Sequence, residues 1–270
     1  MKFTSIDTAS VEENESNNPE DELISSSANY QGDWTLLLRE RMLDPVTKER
    51  FIKQRDEAMP AMLTGKSNGL LDRSEEFKQH YQDQIDHYED RVNHIFSMTG
   101  MGLAGRYAQS PISLGEGDID KPGIVFSDAI KGDGMPLTAH QKNIVESHEK
   151  GHGLRDFHSL LDKTEIRSVV DFKELDELTK ERRIAEGGFR TQRFVPGYLS
   201  KPDEIIERMS QFKNYFGMKA SDIFTKKHLD YVRQHYVADI GLDNGVNDLL
   251  RCVTPSTEEA FLYVINKYPI

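Results

Sequence analysis

Two histidines and a glutamate lie within five residues near the middle of the chain. The segment 148–152 reads HEKGH, which is the pattern HExxH. On a helix, positions i and i+4 share one face, so His148 and His152 could hold one Zn²⁺. Glu149 lies about 100° further round the helix, where it could accept a proton but not bind the metal. This spacing predicts a zinc-activated hydrolase with two histidine ligands and one general base.

A catalytic zinc site needs a third protein ligand and one position open to water. His158 has the metzincin spacing HExxHxxGxxH, but Arg155 stands where that pattern has its turn-forming glycine. A second predicted helix, 171–186, carries several glutamates, among them Glu181 and Glu186. Further along the chain, Glu204 falls in the first turn of a helix that Pro202 is suited to begin. The residues favour Glu204 but leave other candidates open, namely Glu181, Glu186 and His158.

The chain here resembles zincin metallopeptidases of the gluzincin kind, and in particular the anthrax lethal factor and ImmA/IrrE-like groups. In those proteins HExGHxL is followed, tens of residues later, by a tyrosine and then by a glutamate that opens a helix. The matching residues are His148, Glu149, Gly151, His152, Leu154, Tyr198 and Glu204. The resemblance covers roughly residues 124–216. It implies peptide-bond hydrolysis with zinc on His148, His152 and Glu204, and Tyr198 as a donor to the transition-state oxyanion.

The expected fold is α+β and mostly helical, with a zincin-like core that holds a small sheet. The apolar run 123–127 reads as a strand upstream of the metal helix, and zincins often bind an extended peptide along such an edge. Residues 1–33 are acidic and rich in Ser and Asn, so we expect a disordered leader. Residues 34–110 form an N-terminal helical region in this interpretation. Residues 111–270 form the catalytic domain together with C-terminal helices.

Composition limits the partners and the compartment. The net charge of -12 and the lack of a basic stripe argue against nucleic acid as the main partner. Cys252 is the single cysteine, which excludes an internal disulfide framework. No apolar run approaches the roughly 18 residues that span a bilayer. We expect a cytoplasmic protein, or one delivered into a host-cell cytosol by a route other than the Sec pathway.

Three classes of function are compatible with the sequence. The leading hypothesis is a zinc endopeptidase that acts on a protein substrate, of which a host protein is one example. The alternative is a non-catalytic or regulatory helical interaction protein whose zinc is structural or absent. A third class is another zinc-dependent amide hydrolase with a small closed pocket. The sequence does not identify the substrate, the cleavage site, the oligomeric state or the role of residues 1–33.

Overall fold

The computed structural model describes residues 19–64, 74–97, 106–108, 123–125, 135–158, 161–185, 200–243, 245–268 and 270. Within those ranges the helices are α1 (Pro19–Ser27), α2 (Trp34–Leu43), α3 (Pro45–Thr64), α4 (Ser74–Asp86), α5 (Tyr88–Ser97), α6 (Ala139–His158), α7 (Lys163–Arg167), α8 (Phe172–Ala185), α9 (Pro202–Tyr215), α10 (Lys226–Ile240), α11 (Val246–Cys252) and α12 (Glu258–Lys267). The prediction of a mostly helical protein is confirmed.

The strands that the structure describes are short and form one antiparallel pair. Strand β1 (Arg106–Ala108) pairs with β2 (Gly123–Val125), with Tyr107 opposite Ile124. Both strands contact α6. The predicted strand at 123–127 is therefore present at 123–125, next to the helix that carries the HExxH pattern.

Helix α6 lies at the centre of the packing. It contacts α2 and α5 on the N-terminal side, and α9 from the C-terminal half of the chain. The larger apolar cluster includes Ile144 of α6 and Ile205 of α9. A smaller cluster joins Leu154 of α6 to the N-terminal helices through Leu38, Met42, Phe51, Tyr88, Val92 and Ile95. Because both clusters contain residues of α6, this helix is held from two sides.

Local sequence signals explain where the two central helices begin. At the start of α6, Thr138 Oγ1 accepts a hydrogen bond from Gln141 N (3.2 Å), and Gln141 Oε1 accepts one from Thr138 N (3.0 Å). This reciprocal pair satisfies two backbone donors that a helix start leaves unpaired. At the start of α9, Lys201 is the N-cap and Pro202 occupies the first turn, where its missing N–H costs nothing. The predicted role of Pro202 as the start of a helix agrees with its position in α9.

Helix α1 lies within the stretch 1–33 that composition predicts to be disordered. Ile24 is buried in the larger apolar cluster, and Lys227 of α10 lies 2.9 Å from carboxylates of both Glu20 and Asp21. The buried side chain of Ile24 and these ion pairs fix residues 19–27 against the rest of the protein. The low hydrophobicity of the stretch did not predict this helix. Residues 1–18 lie outside the described residues. Among the described helices, none is long and apolar enough to cross a membrane.

Candidate metal centre

Three side chains from two helices converge where α6 crosses α9. His148 and His152 of α6 and Glu204 of α9 have donor atoms within 4.8 Å of one another. The two Nε2 atoms lie 3.2 Å apart. Each imidazole also faces its own oxygen of Glu204, with His148 Nε2 3.4 Å from Oε2 and His152 Nε2 3.4 Å from Oε1. Of the four candidates for a third ligand, the structure places Glu204 beside the histidines.

The spacing of these donors suits a small tetrahedral cation. Zinc bonds of about 2.0–2.1 Å at tetrahedral angles place two ligand atoms about 3.3 Å apart. The separations of 3.2 and 3.4 Å are close to that value. His148 and Glu204 are buried, and His152 is partly buried. Two imidazole nitrogens and a carboxylate are donors that zinc prefers, so the residues fit a zinc ion.

The electrostatics of the cluster favour a positive charge. Burial lowers the pKa of His148 to about 4, although its hydrogen bond to Glu204 acts in the opposite direction. Burial would also lower the pKa of His152, but the hydrogen bond to Glu204 and the charges of Glu207, Glu204 and Glu149 raise it to about 9. The pKa of Glu204 is lowered because the hydrogen bonds from both histidines outweigh burial. The cluster thus holds one ionised carboxylate facing two imidazoles, of which one keeps a proton when no metal is bound.

Glu149 lies in the interior of the protein beside the cluster. Its residue is 7% exposed, although carboxylates are rarely buried without a specific role or partner. Its charge is among those that raise the pKa of His152. A general base has to lie within hydrogen-bond reach of the reacting water, and the buried position of Glu149, directly after His148, is compatible with that role.

Arg208 secures Glu204 from within the same helix. Its Nη1 donates to Glu204 Oε2 and to the Glu204 backbone oxygen, both at 3.0 Å. Arg208 is itself buried, so this charge-assisted contact is shielded from water. Sequence reasoning missed this residue. Its position four residues after Glu204, on the same face of α9, is the signal that could have revealed it.

Gly151 allows the two helices to approach closely. A Cβ atom at this position would overlap the Glu207 carboxylate of α9. Glu207 is completely buried, one helical turn after Glu204. The sequence analysis identified Gly151 as part of the HExGHxL pattern but did not identify Glu207 as the group that lies against it.

The other candidate ligands do not join the cluster in the part of the chain that the structure describes. Glu181 is exposed on α8, where Oε1 accepts a hydrogen bond of 2.8 Å from Arg251 Nη2. His158 is the last residue of α6, and its side chain lies outside the described residues. Glu186 and Tyr198 also lie outside them. Among the candidates whose side chains the structure describes, Glu204 lies at the histidines and Glu181 does not.

Comparison with known proteins adds no family assignment. No family model, no curated protein and no solved structure matches the chain.

Proposed function

We propose that this protein is a zinc-dependent peptidase with a zincin-like active site at the crossing of α6 and α9. The observation that carries the proposal is the convergence of His148, His152 and Glu204 at the ligand spacing of a tetrahedral zinc ion. Three protein ligands leave a fourth position for water or substrate, as in catalytic rather than structural zinc sites. The buried carboxylate of Glu149 beside them supports a hydrolase over a purely structural site.

Each side chain of the site has a defined task in this proposal. Zinc, when bound, would polarise the scissile carbonyl and lower the pKa of water. Glu149 takes the proton from the attacking water and delivers it to the leaving amine. Arg208 orients the Glu204 carboxylate through its hydrogen bond to Oε2. Tyr198 is proposed as an additional donor to the developing oxyanion.

An extended segment of a protein is the substrate that the neighbouring strand favours. Strand β2 pairs with β1 along one edge, and no other strand pairs with β2 within the described residues. Its other edge could add a peptide as a further strand beside α6, which β2 contacts. We propose a protein substrate, with a host protein as one example. The proposed compartment is the cytoplasm or, after delivery by a non-Sec route, the cytosol of a host cell.

Replacement of the proposed general base tests the proposal. Glu149→Gln keeps the size of the side chain but removes its basicity, so zinc should remain bound at one equivalent while peptide hydrolysis falls by at least about 100-fold. Metal content is measured by elemental analysis, and hydrolysis with a library of unstructured peptides. The matched control is Glu146→Gln, one turn earlier on α6, where Glu146 pairs with Lys150. This control should hydrolyse peptides like the wild type.

The same experiment distinguishes the alternative functions. A protein that binds zinc but cleaves nothing, with or without Glu149, would support a structural zinc in an interaction protein. Cleavage of small amides without cleavage of peptides would support a different zinc-dependent amide hydrolase. Glu149→Gln protein with wild-type peptidase activity would contradict the proposed mechanism.

A further inference from the structure

A second glutamate of α9 reaches the helix that carries both histidines. Glu207 follows Glu204 by three residues, so both carboxylates lie on the face of α9 that meets α6. The residue has 0% exposure, which is rare for a glutamate. Its carboxylate lies against the backbone of Gly151, the residue next to His152, and any larger side chain there would collide with it.

The carboxylate of Glu207 lies close to the metal cluster. It follows the proposed ligand Glu204 by one helical turn and lies against Gly151, which is next to His152 in sequence. In a buried place with low effective dielectric, its negative charge stabilises any cation that the imidazoles hold. Glu207 is not among the residues whose donor atoms group with those of the histidines within 4.8 Å. It therefore acts on the site from outside the ligand set.

We propose that Glu207 is a positioning residue for the metal, and that its carboxylate, seated against Gly151, fixes the crossing of α6 and α9 and strengthens zinc binding. The proposal rests on the zinc site proposed above. Two separate effects contribute. The shape of the side chain sets the distance between the helix of the histidines and the helix of Glu204, and its negative charge stabilises the cation between them.

The first test removes the charge and keeps the shape. In Glu207→Gln we expect zinc to bind about 10- to 100-fold more weakly, the range found when groups around metal ligands are changed. Affinity is measured by competition with a chromophoric chelator at constant pH. The visible spectrum of the Co²⁺ form reports whether the ligand geometry is retained. The matched control is Asp203→Asn, the same carboxylate-to-amide change on an exposed residue at the start of α9, which should bind zinc like the wild type.

The second test separates shape from charge. Gly151→Ala should lower the melting temperature of the metal-free protein, because the new methyl group overlaps the Glu207 carboxylate. In the double variant Gly151→Ala with Glu207→Ala the overlap is gone, so the melting temperature should recover relative to Gly151→Ala. Zinc affinity should nevertheless stay at least 10-fold below that of the wild type, since the charge is still missing. A merely structural role of Glu207 predicts instead that zinc affinity recovers together with the melting temperature.

The outcomes separate this inference from the proposed function. The proposed role of Glu207 is wrong if Glu207→Gln and Asp203→Asn both bind zinc like the wild type. It is also wrong if zinc affinity recovers in the double variant. Neither result contradicts the proposed zinc site. If Glu207→Gln does not fold, the zinc affinity of the double variant tests the role of Glu207 instead. If the wild type itself takes up no zinc, the proposed function fails, and the role of Glu207 fails with it. A wild type that binds zinc without hydrolysing peptides contradicts the peptidase alone.

Discussion

Two glutamates that the sequence offers as ligands occupy opposite environments. Glu204 on α9 is buried, faces both histidines and is held by Arg208. Glu181 on α8 is exposed and pairs with Arg251 of α11 on the surface. Each glutamate has an arginine partner, so pairing does not distinguish them. Burial and the neighbouring imidazoles distinguish the two glutamates, because a buried carboxylate interacts strongly with nearby charges while water screens an exposed carboxylate.

The largest difference between the two glutamates should appear in metal binding. Glu204→Gln replaces an ionised ligand with a neutral amide, so we expect zinc affinity to fall by more than about 100-fold, beyond the usual effect of groups around the ligands. Glu181→Gln should leave zinc affinity unchanged, because Glu181 contacts Arg251 instead of the histidines. Chelator competition on both purified variants measures this. Equal losses in the two variants would contradict the assignment of Glu204 as the ligand.

The two arginines should differ in their effect on stability. Arg208→Met removes a buried cation and leaves the Glu204 carboxylate in the interior, which should lower the free energy of unfolding of the metal-free protein by about 3 kcal/mol. Urea titration followed by circular dichroism measures the change. Arg251→Met removes two ion pairs at the surface, with Glu181 and with Glu174, and its urea midpoint should stay within error of the wild type. A similar loss for both would show that burial does not separate the two pairs.

The comparison extends to two lysines and predicts a dependence on pH. Burial, and after it the charges of Arg41 and Arg50, lower the pKa of Lys213 from 10.5 to about 7. Between these values the unfolded chain keeps the proton and the folded protein does not, so Lys213 contributes a rise of stability with pH, which opposes the fall caused by the raised pKa of His152. The slope is at most about 1.4 kcal/mol per pH unit. Urea unfolding at about pH 7 and about pH 8.5 should therefore show that stability changes less favourably with rising pH in Lys213→Met than in the wild type, since the variant loses the contribution of Lys213 and keeps that of His152.

A surface lysine provides the control for that measurement. Lys180 is exposed on α8, and its hydrogen bond to Glu177 raises its pKa. Lys180 therefore remains protonated in the folded protein across this pH range. The slope of stability against pH in Lys180→Met should equal that of the wild type. A slope of stability against pH that is the same in Lys213→Met and in the wild type would contradict the prediction.

The local features of the site were predictable because they depend on neighbours in sequence. The helical repeat places His148 and His152 on one face, and Thr138 and Pro202 mark the starts of α6 and α9. Helix α1 was not predictable from composition, since its order depends on Ile24 and on ion pairs with the distant Lys227. The predicted strand near residue 123 is present, but its pairing with 106–108 is a non-local contact that periodicity does not reveal.

The amino-acid sequence alone predicts the HExxH pattern on one helix face and the starts of the two helices, because backbone geometry over a few residues is enough to specify them. Which carboxylate meets the histidines was decided only when α9 packed across α6. Sequence spacing cannot supply that contact, because the proposed ligands lie on two different helices whose crossing depends on packing along their whole length. The same crossing places Glu207 against Gly151 and buries Arg208 beside Glu204. The residues surrounding the ligands are therefore a product of the tertiary structure.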